Sequence, residues 1–146
     1  MVADIQRLRE ETGAGMMDCK RALADAKGDY KKAVELIRER GLLKAQKRAD
    51  RATGAGLLEA YIHNGRVGVL LDLRAETDFV AHSDPFQELA HELVLQISAM
   101  SPASVEELLR GPYIKDETMT VENLIKGVVA RVGENVRVER FARYEI

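Results

Sequence analysis

Two β-rich runs joined by an Asn-Gly dipeptide constrain the fold of this 146-residue chain more than any other feature. Leu57 to Ile62 and Val67 to Leu73 flank the segment His63 to Arg66, which contains the dipeptide. Asn and Gly both tolerate positive φ, so they favour a hairpin turn. Apolar residues alternate along the second run, which indicates one buried face. The sequence therefore predicts an antiparallel sheet.

The first forty residues have helical periodicity. We predict helices over Ala3 to Glu11, over Met16 to Lys27, and from an Asp29 cap to a stop at Gly41. The glycine-rich segment Thr12 to Gly15 ends the first helix and separates it from the second. Three short helices of this kind predict a compact bundle.

A basic segment follows, from Leu42 to Arg51. Its cations share one helical face: Lys44, Lys47, Arg48 and Arg51. The segment is either a phosphate-tracking stripe or a solvated helical linker. We favour the linker because no aromatic residues interleave. Thr53 to Gly56 has the composition of a flexible joint, so we predict domains over 1–52 and 53–146.

The rest of the chain predicts further helices and one more strand. A long helix starts from Asp84 as its N-cap and carries an apolar stripe that includes Met100. The other elements are a helix over Ser104 to Leu109, a helix over Thr120 to Arg131 closed by Gly133, and a strand over Val136 to Ile146. Alternation along that strand places Phe141 on its charged face, which indicates a contact. The predicted class is α+β, a small antiparallel sheet packed with helices.

Composition excludes several classes of protein. With 46% hydrophobic and 32% charged residues, the chain is not a disordered one. No apolar run approaches the roughly 18 residues of a membrane span. A single cysteine suits a reducing cytoplasm. Residues 1–56 carry a net charge of +4 and the remainder −6, which is too weak a basic excess to predict direct nucleic-acid binding.

No arrangement of side chains predicts an enzyme. The histidines at 63, 82 and 91 lack zinc-ligand spacing, and the chain has no phosphate-binding loop. Cys19 lies among residues of helical periodicity and is expected to be a small buried filler. We therefore expect no enzymatic chemistry, no cofactor and no metal.

The corner between the second strand and the long helix holds a carboxylate beside a large aromatic ring, Asp78-Phe79. Thr77 is a plausible helix N-cap in front of them. In one interpretation Asp78 favours the helix dipole and Phe79 packs into the core, and chemistry alone favours this one. In the other the corner contacts a partner.

Three ordered stretches resemble one family. Glu76 to Ala81 resembles the signature of elongation factor Ts. Thr12 to Leu23 resembles the first signature of that family, and Val132 to Val136 resembles its Ile/Val-Gly-Glu-Asn segment. The resemblance covers nearly the whole chain.

The resemblance implies a cytoplasmic guanine-nucleotide exchange factor for the translational GTPase elongation factor Tu. It implies that the N-terminal bundle has the ubiquitin-associated (UBA-like) fold. It also implies that the aspartate-phenylalanine pair enters the GTPase domain beside the magnesium site and promotes GDP release. Carried over by residue, the implied contacts are Thr77, Asp78, Phe79 and Val80 at the corner, Arg9, Met16 and Met17 in the N-terminal domain, and Val132, Gly133, Glu134 and Asn135 in the C-terminal segment.

Helix geometry alone, without the resemblance, constrains where the side chains of Met16 and Met17 can point. Adjacent helical residues diverge by about 100°, so both cannot enter one small core. We expect one of them to be exposed, either as a contact patch or at the rim of the core.

Two departures from the family are visible. Only Ser101 to Met119 bridge the long helix and the last helix, where longer members have extra helical material, and His82 replaces a usual Lys or Arg. The chain supplies one core module, so we expect a non-covalent homodimer, joined through the sheet, that binds two Tu molecules; the competing view is a free monomer. The alternative function is an adaptor that binds a protein partner through the N-terminal bundle alone.

Overall fold

The computed structural model describes all of residues 1–146. The chain forms seven helices and five strands. The helices are α1 Val2–Thr12, α2 Met16–Asp25, α3 Tyr30–Arg48, α4 Asp78–Ala81, α5 Asp84–Met100, α6 Val105–Arg110 and α7 Val121–Val132. The strands are β1 Ala55–His63, β2 Val67–Ala75, β3 Pro112–Tyr113, β4 Asp116–Thr120 and β5 Val136–Glu145. The predicted α+β class is confirmed. None of the helices combines the length and the apolar composition that a membrane span requires.

The first three helices pack around a small cluster of their own. Leu8, Cys19 and Ala22 are fully buried at its centre. Cys19 is thus the small buried filler that the sequence predicts, and burial raises the pKa of its thiol. The predicted helix stop at the end of α2 is confirmed, since Gly28 has φ of 82° and its N–H donates to Leu23 O at 2.9 Å.

Helix α3 does not end at Gly41, so that prediction is wrong. It continues without interruption to Arg48. Gly41 lies where α3 crosses α7, and a Cβ built there would be 3.2 Å from Ala130 Cβ. The glycine is therefore the point of close approach between two helices, and the small cost of glycine inside a helix is offset by that packing.

The basic segment is helical as far as Arg48 and exposes Lys44, Lys47 and Arg51, so its interpretation as a linker stays a prediction, but it also makes contacts within the chain. Ala45 is buried in the larger core, and Lys44 Nζ contacts Asp18 Oδ2 at 2.9 Å, a hydrogen bond that lowers the pKa of Asp18. Arg48 donates to Val129 O at 3.4 Å. Of the four cations in the predicted stripe, three therefore make contacts within the chain: Lys44, Arg48 and Arg51. Arg51 lies beside Glu76. The segment joins the bundle firmly to α7.

Strands β1, β2 and β5 form an antiparallel sheet in the order β1-β2-β5. Asn64 and Gly65 have φ of 52° and 66°, the positive values of the predicted hairpin turn. Helix α5 covers one face of the sheet, and Leu71 and Leu73 of β2 are fully buried beneath it. The hairpin prediction is confirmed, with both strands longer than expected.

A bulge reverses the side-chain alternation of β5. Asp72 pairs with Arg140, but the next residue of β2, Leu73, pairs with Val138, so Glu139 is extra. Beyond the bulge Phe141 faces inward, pairs with Leu71 and packs against the core. The prediction that Phe141 lies on the charged face is wrong, because strict period-two alternation does not anticipate a bulge.

The outer face of the sheet is left uncovered. It carries apolar side chains from all three strands, with Leu58 and Ile62 of β1, Leu70 of β2 and Tyr144 of β5 between 49% and 78% exposed. One carboxylate interrupts this face. Asp72 is buried there and accepts hydrogen bonds from arginines on two strands.

The remaining elements follow the sequence closely, with small shifts. Ser83 is the N-cap of α5 in place of Asp84, and Met100, predicted to face the core, is 51% exposed. Ser104 caps α6 and Thr120 caps α7 through hydroxyl oxygens that accept from the third residue of each helix. The short β3–β4 hairpin is absent from the prediction.

Candidate partner-binding site

A single helical turn carries the Asp-Phe pair. Helix α4 has four residues, and the Thr77 hydroxyl accepts a hydrogen bond from Val80 N at 3.4 Å. The capping role predicted for Thr77 is confirmed, although the sequence predicts only a corner here and not a separate helix. Val80 is buried on the core side, and the side chains of Asp78 and Phe79 are exposed on the other.

Phe79 is 86% exposed, whereas Phe86 in the next helix is fully buried. The interpretation of Phe79 as a core residue is therefore wrong. A large ring left in water gains none of the burial energy that usually fixes a phenylalanine. Its position next to an exposed carboxylate makes the corner a candidate contact surface.

His82 closes the same turn. Its Nδ1–H donates to Asp78 O at 2.7 Å, and its backbone N–H donates to the same carbonyl oxygen at 3.0 Å. This hydrogen bond fixes the tautomer of the imidazole, because a carbonyl oxygen can only accept. In this structure His82 stabilises α4 from its C-terminal end.

Reciprocal hydrogen bonds join two of the motifs, Glu76 to Ala81 and Val132 to Val136. We call this set of hydrogen bonds the clasp. The Glu134 carboxylate accepts from Thr77 N at 3.0 Å and from the Thr77 hydroxyl at 2.7 Å. In return, Asn135 N donates to the Glu76 carboxylate at 2.8 Å. The partners lie 57 and 59 residues apart in sequence, so no local pattern predicts the contact.

Asn135 extends the clasp to the helical segment from the bundle. Its side-chain amide, which is buried, donates to Ala49 O at 3.2 Å and to Arg51 O at 2.9 Å. The Arg51 guanidinium lies 3.7 Å from the Glu76 carboxylate. The end of α3, the corner and the segment after α7 therefore meet at one point.

The N-terminal candidates lie on the three-helix bundle. Met16 and Met17 are 57% and 55% exposed. The sequence predicts that at least one of the two methionines is exposed, and in the structure both are. Arg9 is also exposed. No hydrogen bond connects these three residues to the corner at Thr77, so the candidates form two separate surfaces.

A cleft of about 950 Å³ separates the bundle from α7 and β4, and the sequence gives no sign of it. Arg131 crosses this cleft and lies against Gly13, where a built Cβ would be 2.7 Å from Arg131 Nε. No three His, Cys, Asp or Glu side chains come together as metal ligands would.

Comparison with known proteins defines the class. The family model for elongation factor TS matches residues 76–146. Proteins named elongation factor Ts from Thermotoga maritima and Moorella thermoacetica are 41% and 39% identical to this chain, and the alignments cover 97% and 99% of it and 94% of each relative. One from Nostoc sp. is 44% identical over 97% of this chain and 45% of its own length.

A chain with this fold and these relatives is a translation elongation factor, not an enzyme. It belongs to the elongation factor Ts family. The alignment with the Thermotoga maritima protein runs over 186 positions although only 97% of 146 residues take part, so that relative carries about 40 residues that this chain lacks. Their location between Ser101 and Met119 stays a prediction.

Proposed function

We propose that this chain binds elongation factor Tu in its GDP-bound and nucleotide-free states and promotes the release of GDP. The observation that carries the proposal is the 86% exposure of Phe79 on a capped turn, beside the exposed carboxylate of Asp78 and within the family motif. Such a corner can enter a partner without unfolding itself.

The mechanism follows from how a GTPase holds its nucleotide. Mg²⁺ bridges phosphate oxygens there and supplies much of the affinity. Phe79 acts as a wedge between helices of the GTPase domain, and Asp78 rearranges the polar contacts that support the metal. If this chain weakens GDP binding by some factor, GDP weakens the binding of this chain by the same factor. Incoming GTP can then displace the exchange factor.

Further contacts come from the other candidates. Arg9, Met16 and Met17 form a second binding surface on a UBA-like domain, and the exposure of both methionines supports this role. We propose the domains 1–52 and 53–146, supported by two separate hydrophobic clusters, with Ala45 of the first domain packed into the larger cluster. Val132, Gly133, Glu134 and Asn135 remain the proposed C-terminal part of the binding site, in which Glu134 takes part through Thr77, because both of its carboxylate oxygens accept from that residue.

The free protein is proposed to be a cytoplasmic, non-covalent homodimer that binds two Tu molecules. Phe141 does not support this association, because it packs against the core. The support comes from the uncovered outer face of the sheet, where Leu58, Ile62, Leu70 and Tyr144 expose apolar side chains from three strands.

The rate of labelled-GDP release from elongation factor Tu tests the proposed exchange. We expect saturating protein to accelerate release, and Phe79→Ala to remove most of the acceleration. Met16→Lys should weaken binding and leave the maximal rate unchanged. An adaptor that uses the bundle alone would bind Tu equally well with Phe79→Ala and would not accelerate release in either form.

A further inference from the structure

We propose that Glu134 is a positioning residue for the Asp-Phe corner, acting within the chain on Thr77. This inference rests on the proposed function, since it concerns how the corner is held ready for its partner. Glu134 lies after α7, and its carboxylate reaches the turn that carries Asp78 and Phe79.

Both oxygens of Glu134 are committed to one residue. Oε1 accepts from Thr77 N at 3.0 Å and Oε2 accepts from Thr77 Oγ1 at 2.7 Å. Because the hydroxyl proton points to Glu134, the Thr77 oxygen presents a lone pair to Val80 N, from which it accepts at 3.4 Å. The carboxylate therefore orients the cap as well as anchoring it.

Helix α4 depends on such support. One turn of four residues cannot be stable alone, because helix nucleation costs more than a single turn returns. Burial of Val80 and Ala81 holds its inner side. At its N-terminus the only side chain besides Thr77 itself that binds the backbone is Glu134, and the reciprocal bond from Asn135 N to Glu76 fixes the carboxylate's own backbone.

Loss of this clasp reduces the fraction of molecules whose corner is ready to bind. When the competent fraction falls, apparent affinity falls in proportion, but a saturating partner still selects the competent form. Replacement of Glu134 should therefore raise the concentration needed for half-maximal GDP release and leave the maximal rate unchanged. Replacement of Phe79, which touches the partner, should instead lower the maximal rate.

The test compares Glu134→Ala and Glu134→Gln with Glu117→Ala, an exposed glutamate on the β3–β4 hairpin. Two measurements are made on the full chain. Amide hydrogen exchange at residues 80–82 reports on α4 without any partner. GDP release from elongation factor Tu, titrated with each variant, gives the half-saturating concentration and the maximal rate.

For Glu134→Ala we expect about tenfold faster exchange at residues 80–82, unchanged exchange in α5, and a half-saturating concentration raised by less than that factor at an unchanged maximal rate. Glu134→Gln keeps one acceptor and should fall between. Unchanged α4 exchange in Glu134→Ala would overturn the inference, as would a lowered maximal rate, which a reduced competent fraction does not produce. If Phe79→Ala has no effect on release, the proposed function fails while the exchange data still decide the positioning role.

Discussion

At the scale of single residues, two phenylalanines seven positions apart differ completely in environment. Phe79 is 86% exposed and Phe86 is fully buried. Truncating a buried phenylalanine costs about 3–5 kcal/mol, because transfer energy is lost and a cavity remains. We expect Phe86→Ala to show a loss of that size and Phe79→Ala to lower the free energy of unfolding by less than about 1 kcal/mol, measured by urea denaturation. A core-sized loss for Phe79→Ala would contradict its role as an exposed wedge.

Asp72 gives the stability a specific pH dependence. Hydrogen bonds from Arg74, at 2.6 and 3.2 Å, hold the pKa of this buried carboxyl below its ordinary 3.8; burial opposes them and Arg140, at 3.2 Å, adds to them. A pKa lowered by folding stabilises the protein above the unfolded-state pKa, and this stability is lost as the pH falls through the folded-state pKa.

We therefore expect Asp72→Asn to lower the free energy of unfolding by about 1–2 kcal/mol at pH 7, with the difference steady down to about pH 5 and shrinking towards pH 2. Denaturant titrations of both proteins across that range measure it. The exposed Asp50 provides a control, since Asp50→Asn should change stability by less than about 0.5 kcal/mol at pH 7. A difference that grows at acid pH would refute the assignment.

At the scale of elements, two glycines inside helices distinguish the effect of helix propensity on stability from the effect of side-chain packing. A Cβ at Gly127 in α7 meets nothing within 4 Å, whereas one at Gly41 in α3 would press on Ala130 of the facing helix at 3.2 Å. Gly127→Ala should raise the free energy of unfolding by about 0.5–1 kcal/mol. Gly41→Ala should give no gain or a loss, and Ala130→Gly in the same chain should relieve it. Equal gains at both glycines in thermal melts would show that the α3–α7 contact is not tight.

At the scale of the whole molecule, the uncovered sheet face predicts how free chains associate. Leu70 is 49% exposed at the centre of this face, and Met100 is 51% exposed at the end of α5. Sedimentation of the wild type at micromolar concentration should show twice the 16.3 kDa chain mass. A charge placed at the centre of an apolar interface is costly to bury, so Leu70→Glu should yield monomers and Met100→Glu should not.

Dithiothreitol should leave the dimer intact, because the single cysteine is buried in the bundle. A wild-type species of one chain mass with and without the reductant would instead support the competing view of a free monomer.

Much of the architecture follows from local sequence. The Asn-Gly turn, the caps at Thr77, Ser104 and Thr120, and the glycine stop after α2 each depend on residues within a few positions of one another. Hydrophobic periodicity likewise places α5 and α7, because one face of each must be buried. The resemblance to the family motifs is what makes the Asp78-Phe79 corner a candidate binding site, because secondary-structure propensity alone carries no information about partners.

Other features are decided only when distant segments meet. Gly41 reads locally as a helix stop, but packing of α3 on α7 keeps the helix continuous. The bulge at Glu139 arises from pairing with β2 and turns Phe141 inward. The clasp of Glu134 on Thr77 joins residues 57 positions apart, next to the turn on which Phe79 is exposed. Local sequence determines most of the longer elements and several of their caps; tertiary contacts determine which faces stay exposed, because exposure depends on what else packs there.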